Sequence, residues 1–259
     1  MDKKVLVLIL IIIIIISIAL YSIVIKMKEI SSHHREELWA IIVDGLSDEF
    51  PNESLISLTK HHLEIYGFNV TVVSGDNLTI DCYRDILSRG YDVLIFRIHG
   101  GFYAEGGEVL VGLFSNEVFD PNKYVDEQSR GFVAIGRPYV NPEKEVFAIT
   151  TDFVRTYGNF RNSIVMVFSC YSMVSDSMAR AFVDRGASIY IGWKGAVNPD
   201  LNDFALDRLI YYLFVENLTI SNAISRTMID YMIKHKTEIP LLYYPEEASK
   251  YTVWELIKK

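Results

Sequence analysis

The sequence predicts an α/β fold, a three-layer sandwich in which a mostly parallel β-sheet carries helices on both faces. Short apolar runs alternate along the chain with segments of helical periodicity. Several of these runs are apolar at nearly every position, which is typical of strands buried on both faces of a parallel sheet. The alternation stops between Gly101 and Thr150, where short strand-like segments predict a small antiparallel hairpin insertion.

The elements before the insertion follow from apolar spacing and turn residues. Trp39–Val43 is an apolar run that ends at Asp44-Gly45, so it is predicted as a strand followed by a turn. Glu53–Tyr66 has apolar residues at helical spacing and is followed by Gly67, which predicts the end of a helix. The other elements predicted here are the strand Phe68–Val73, the helix Ile80–Leu87 and the strand Asp92–Ile98.

The insertion and the elements after it are predicted in the same way. The three short strands of the insertion are Glu108–Phe114, Phe132–Ile135 and Val146–Ile149. After them, apolar runs predict two more strands of the main sheet, Ile164–Phe168 and Ser188–Gly192. The helices predicted in this half are Asp176–Val183, Asn202–Val215 and Ile220–Lys234.

The segment Val5–Ile25 is predicted as a transmembrane helix. Only two serines interrupt its apolar residues, and lysines flank both ends. As a helix it is about 31 Å long, which matches a hydrocarbon core of about 30 Å. A cleaved signal peptide is the alternative, because Ser17-Ile18-Ala19 resembles a cleavage site. We expect a single-pass protein of the cell membrane, held there by this helix.

Residues 26–37 are predicted as a juxtamembrane linker, and residues 38–259 as one domain. Four N-x-S/T sequons favour an extracytoplasmic position for this domain, although ordinary polar turns explain them equally well. These sequons begin at Asn52, Asn69, Asn77 and Asn217.

Charge and cysteine content exclude several functional classes. The formal net charge is −8 at pH 7, and because residues 1–35 contribute +3, the rest of the chain carries −11. A phosphate-tracking surface needs clustered Lys and Arg, so we do not expect nucleic acid as a partner. The two cysteines, Cys82 and Cys170, provide neither a disulfide scaffold nor a CxxC metal site.

Two residues suited to nucleophilic chemistry directly follow predicted strands. Ligands of a parallel sheet bind beyond the carboxyl ends of its strands. His99 follows the strand Asp92–Ile98, and Cys170 follows Ile164–Phe168 after one serine. If these strands are neighbours, the thiol and the imidazole serve one substrate carbonyl, and the N–H groups of Gly100 and Cys170 form an oxyanion hole. The alternative is a cysteine buried at a strand end.

The order of these motifs resembles the caspase-like cysteine peptidases. The chain has an apolar strand, His-Gly, an antiparallel hairpin, a helix, a second apolar strand and Ser-Cys. The stretch Ser163–Val197 is the part most similar to CHAT and gingipain-type sequences. The chain departs from the pattern at Tyr171-Ser172, since many relatives have a small residue or glycine two positions after the cysteine.

The resemblance implies a cysteine endopeptidase that acts on a protein or peptide without a metal or organic cofactor. It assigns His99 as acid/base, Cys170 as nucleophile and Gly100 as oxyanion donor. Asp44 lies where relatives often place a residue that contacts the P1 side chain, which would favour a basic P1 residue; a turn aspartate is the alternative. Trp193 is either a wall of the substrate pocket or a core aromatic residue. The alternative functions are an inactive, membrane-tethered module that binds peptides or proteins, and a flavodoxin-like domain for a small ligand.

Overall fold

A six-stranded sheet forms the centre of the computed structural model, which describes residues 37–236 and 238–258. Its strands, in the spatial order β10-β9-β8-β3-β1-β2, run parallel except for β10 at one edge. The mostly parallel sheet that the sequence predicts is therefore confirmed. The strands are β1 (Leu38–Asp44), β2 (Phe68–Ser74), β3 (Val93–Arg97), β8 (Ile164–Phe168), β9 (Ile189–Trp193) and β10 (Leu241–Tyr244).

Helices cover both faces of this sheet, as the sequence predicts. One face packs against α2 (Ile80–Ser88), α4 (Thr151–Tyr157) and α5 (Ser177–Asp184). The other packs against α1 (Glu53–Ile65), α6 (Pro199–Ile210), α7 (Ile220–His235) and α8 (Val253–Ile257). Alternate residues of β3 point to the two cores, with Leu94 and Phe96 in one and Val93 and Ile95 in the other. This two-sided burial explains the continuous apolar strands.

Side-chain caps set where several helices begin. Asn52 accepts the N–H of Leu55 and starts α1, and Thr252 forms a capping box with Glu255 at α8. Helix α6 starts at Pro199 rather than at the predicted Asn202, because Asn198 provides the cap and proline suits the first turn. It ends in a π-helical turn over Tyr211–Val215.

The insertion after β3 is a second sheet, larger than the predicted hairpin. Its four antiparallel strands have the spatial order β4-β5-β7-β6. They are β4 (Gly100–Glu105), β5 (Glu108–Val118), β6 (Val133–Gly136) and β7 (Val146–Ile149), with the short helix α3 (Val125–Ser129) before β6. The first strand begins directly after His99, so the insertion shares its base with the candidate site.

The predicted membrane segment Val5–Ile25 and nearly all of the linker at residues 26–37 lie outside the described residues. Among the helices that the structure describes, none is both long and apolar enough to span a bilayer. Leu38–Lys259 forms one compact unit.

Candidate active site

The strand register brings the two candidate catalytic residues to one edge of the central sheet. Strands β3 and β8 are parallel neighbours, and Arg97 is paired with Phe168. His99 and Cys170 each follow two residues after this pair, on strands that lie about 4.8 Å apart. Both residues line one cleft with a volume of about 1140 Å³. The structure thus brings together the imidazole and the thiol that the sequence singled out.

Cys170 is a half-buried thiol held by the segment after β9. Its Sγ lies 3.4 Å from both the N–H and the carbonyl oxygen of Val197. Burial raises the pKa of the Cys170 thiol, while hydrogen bonds from the Val197 and Cys170 N–H groups oppose that rise. With its pKa raised, the Cys170 side chain is a neutral thiol at rest and would need a base to act as a nucleophile. The other cysteine, Cys82, is also free but lies on α2, outside the lining of the cleft.

His99 is held by Glu49, which the sequence analysis did not identify. The Nε2 atom of His99 lies 2.8 Å from Oε2 of Glu49, and the ring of Phe50 meets the imidazole edge-on at 6.4 Å. An ionised carboxylate only accepts hydrogen bonds, so Nε2 is the donor in this pair and Nδ1 is the ring nitrogen that can accept a proton. Glu49 lies in the segment after β1, the neighbour of β3, and this position is the signal that could have identified it.

The N–H of Gly100, the predicted oxyanion donor, points away from the neighbouring strand β5. The N–H of Phe114 donates to the carbonyl oxygen of His99 at 3.0 Å, so Gly100 and Leu113 form a non-hydrogen-bonded pair. In such a pair the N–H of Gly100 points away from β5. A Cβ atom at Gly100 would lie 2.1 Å from Oγ of Ser169 and 3.2 Å from the carbonyl oxygen of Cys170. Only glycine allows the two strand ends to come this close.

Ser172 fixes the turn that follows Cys170. Its hydroxyl accepts the N–H of Trp193 and lies 2.9 Å from the carbonyl oxygens of both Val167 and Ser169. A Cβ atom at Gly192 would lie 2.6 Å from this hydroxyl, so there is little room for a residue larger than Ser172 beside Gly192. The departure from the family pattern at Tyr171-Ser172 thus still places a small residue two positions after the cysteine.

Comparisons with known proteins identify the fold. No protein-family model matches the chain, and no curated protein is significantly similar in sequence. The solved complex of the Porphyromonas gingivalis RgpB pro- and mature domains matches with a TM-score of 0.54 and 12% identity, over 83% of this chain and 49% of that one. The fold is gingipain-type and caspase-like.

A second match is the Arg-specific cysteine proteinase gingipain R, with a TM-score of 0.49 and 13% identity over 77% of this chain and 43% of that one. The chain spans less than half the length of either solved structure. At 12% identity the likeness to the RgpB complex concerns the fold, which agrees with the caspase-like resemblance of the sequence.

Within this caspase-like fold, Asp44 does not line the cleft, so the expectation that it contacts a P1 side chain is wrong. Its carboxylate is buried and lies 2.6 Å from Nη1 of Arg97, the residue paired with it in the sheet. Burial raises the pKa of Asp44, while the charge and hydrogen bond of Arg97 oppose the rise. Arg97 also donates to Asp203 and to the carbonyl oxygen of Phe50. Asp44 is thus part of a buried ion cluster.

Trp193 is a core residue rather than a pocket wall, so its core alternative is the correct one. Its side chain is fully buried and packs against Tyr231 in a tilted arrangement, with the ring centroids 5.2 Å apart. The indole Nε1 donates to Oδ1 of Asn202 at 2.8 Å. Asn202 itself lines the cleft, so Trp193 supports the site from behind.

Proposed function

We propose that this protein is a cysteine endopeptidase, with Cys170 as nucleophile and His99 as general acid and base. One observation carries the proposal. Two neighbouring strands of a caspase-like fold deliver a thiol and an imidazole to one open cleft. Gly100, which directly follows His99, directs its N–H away from β5, where a substrate carbonyl oxygen can accept the hydrogen bond.

The acylation step uses each of these groups. Nδ1 of His99 takes the thiol proton while Sγ of Cys170 forms a bond to the substrate carbonyl carbon. The carbonyl oxygen becomes an oxyanion, which the N–H groups of Gly100 and Cys170 stabilise. His99 then gives its proton to the amide nitrogen, the C–N bond breaks, and the amine leaves.

Deacylation completes the cycle. A water molecule loses a proton to His99 as its oxygen attacks the thioester carbon. The C–S bond then breaks and the sulfur of Cys170 takes the proton back from His99, which releases the carboxylic acid product. The Glu49 carboxylate keeps Nε2 protonated and stabilises the imidazolium that forms in both steps. These steps use only protein side chains, backbone N–H groups and water.

The membrane setting extends the proposal to the whole chain. The apolar segment Val5–Ile25 would hold the peptidase at the cell membrane, and the sequons support an extracytoplasmic domain. The preference for a basic P1 residue depended on Asp44 facing the cleft. Because Asp44 is buried in an ion cluster, the proposal includes no preference for a basic P1 residue.

Covalent labelling of the full chain in detergent tests the proposal. Peptidyl acyloxymethyl ketones that vary at P1 react when the cysteine sulfur bonds to the methylene carbon and the acyloxy group leaves as a carboxylate. We expect labelling of the wild type, none of Cys170→Ala, and labelling at least about 100-fold slower for His99→Ala, since acid–base catalysis contributes about 10²–10⁴-fold. Cys82→Ala removes the other free cysteine and should label like the wild type.

A negative result of this experiment would also distinguish between the alternatives. A folded protein that no probe labels, and that cleaves no peptide, would show that the cleft does not act as a peptidase. The inactive peptide-binding module would then be the better description.

A further inference from the structure

The cleft around Cys170 is lined mainly by apolar and aromatic side chains. Among the described residues, its lining contains no aspartate or glutamate. Arg137 is the lining side chain with a permanent charge, and it is paired with Glu145. A cationic substrate side chain would therefore find no anionic partner in this lining, and it would meet a positive charge at Arg137.

One face of the second sheet lines this cleft with the small residues Gly112, Ala134 and Ala148, and we call it the bare face. Along β5, Val111 and Leu113 are completely buried in the core, whereas the alternate residues Gly112 and Phe114 line the cleft. Phe114 is paired with Ala148, which is paired in turn with Ala134. Gly112, Ala134 and Ala148 thus contribute little side-chain volume, and the ring of Phe114 lies over part of this face.

Aromatic and aliphatic side chains border this bare face. The ring of Phe114 fits because Gly136 and Gly101 have no Cβ, which would lie 2.8 Å and 3.2 Å from it. At the rim, Ile135 is 42% exposed, Tyr139 97% and Val140 51%. These three side chains line the cleft without being covered by the rest of the described chain. Exposed apolar residues that converge on a cleft indicate a ligand with apolar groups.

The bare face adjoins the reaction centre. The substrate carbonyl must reach both Sγ of Cys170 and the N–H of Gly100, the first residue of β4. The next residue, Gly101, is paired with Gly112. The substrate residues at the scissile bond therefore lie beside the bare face.

We infer that this peptidase selects a bulky apolar residue, of the size of leucine or phenylalanine, at P1. The inference rests on the proposed function and adds a substrate class to it. The apolar lining favours burial of such a side chain, and the glycine and alanine face provides its volume. When two side chains differ in size, a hydrophobic pocket typically changes their relative rates of reaction by about 10–200-fold.

Acyloxymethyl ketone probes with Phe, Leu, Ala, Arg or Asp at P1 test this on the full chain. We expect the Phe and Leu probes to label Cys170 at least about tenfold faster than the Arg and Asp probes. A faster reaction of the Arg or Asp probe, with labelling still dependent on Cys170, would overturn the inference and leave the peptidase intact. No labelling by any probe would instead overturn the proposed function, and the inference with it.

A pocket-filling variant tests where the selectivity resides. A Cβ atom at Gly112 would meet Ala148 at an ordinary 3.6 Å, so there is room for a Cβ at this position. Gly112→Val should slow the Phe probe at least about tenfold relative to the Ala probe. The Ala probe thus reports that the variant is folded, and Ala134→Leu is a second filling variant. Val109→Ala, at an exposed β5 position outside the lining, is the control. An unchanged Phe-to-Ala ratio in both filling variants would overturn the inference.

Discussion

The Glu49 carboxylate determines which ring nitrogen of His99 holds the proton, because Nε2 donates to it. The pair is half-exposed, with 20% of the His99 side chain and 28% of the Glu49 side chain accessible to solvent. Water therefore screens part of its charge interaction. Glu49 does not line the cleft, so in the proposed mechanism it would act on the substrate only through His99.

We expect Glu49→Gln to lower kcat/KM about tenfold, or about 1.4 kcal/mol in transition-state energy. Glutamine still accepts the Nε2 proton but lacks the charge that stabilises the imidazolium. The loss should appear in kcat, with KM nearly unchanged, because Glu49 is outside the cleft. Asp48→Asn changes the neighbouring exposed carboxylate and should behave like the wild type. Equal kinetics of Glu49→Gln and the wild type would show that Glu49 does not orient His99.

Single residues of the site differ in how far the sequence predicts them. His99, Gly100 and Cys170 were predictable because they follow apolar strands, where ligands of such sheets bind. Asp44 also follows a strand, but its role depends on the residue beside it in the sheet. That residue is Arg97, which is conspicuous as a charged residue at the end of an apolar run. The sequence gives the position along a strand but not the partner across it.

At the scale of elements, the Arg97 ion cluster connects β3, β1 and α6 beneath the site. The guanidinium is fully buried and donates to Asp44, to both oxygens of Asp203 and to the carbonyl oxygen of Phe50. Asn52, which caps α1, also donates to Asp203. Because Phe50 follows Glu49 directly, the same cluster anchors the segment that orients His99.

We expect Asp203→Ala to destabilise the protein by at least about 2 kcal/mol, because buried donors of Arg97 lose their carboxylate partner although Asp44 still balances the charge. Asp207→Ala on the same helix removes a partly exposed pair with Arg208 and should cost no more than about 1 kcal/mol. Denaturant unfolding of both variants measures the difference. Similar losses for the two would mean that the cluster contributes no more than a surface pair.

Elements were predictable where burial or capping imposes a pattern. Strands β1, β3, β8 and β9 are buried on both sides, so each appears as an apolar run. Strand β4 was missed because it begins with Gly100-Gly101, which carry no side-chain pattern. Its pairing with β5 supplies what the sequence alone could not show.

At the scale of the whole molecule, the two sheets share one hydrophobic core. Leu113 and Phe147 of the second sheet lie in the same buried cluster as Phe96 and Val165 of the first. The insertion is therefore packed into the domain rather than attached to its surface. This packing holds the bare face of the second sheet at a fixed position beside Cys170.

A shared core predicts that the two sheets unfold together. Such coincidence is not automatic, because two-state unfolding is usual mainly below about 150 residues. We expect amides of β5 and β7 to exchange hydrogen with the same free energy of opening as amides of β3 and β8, because exposing either set breaks the common cluster. Native-state hydrogen exchange of the full chain, measured by mass spectrometry at increasing denaturant, tests this. The edge strand β10 serves as a comparison, since edge elements open by local fraying. If β5 and β7 exchanged at clearly lower denaturant than β3 and β8, the second sheet would open independently, and the substrate cleft would have a movable wall.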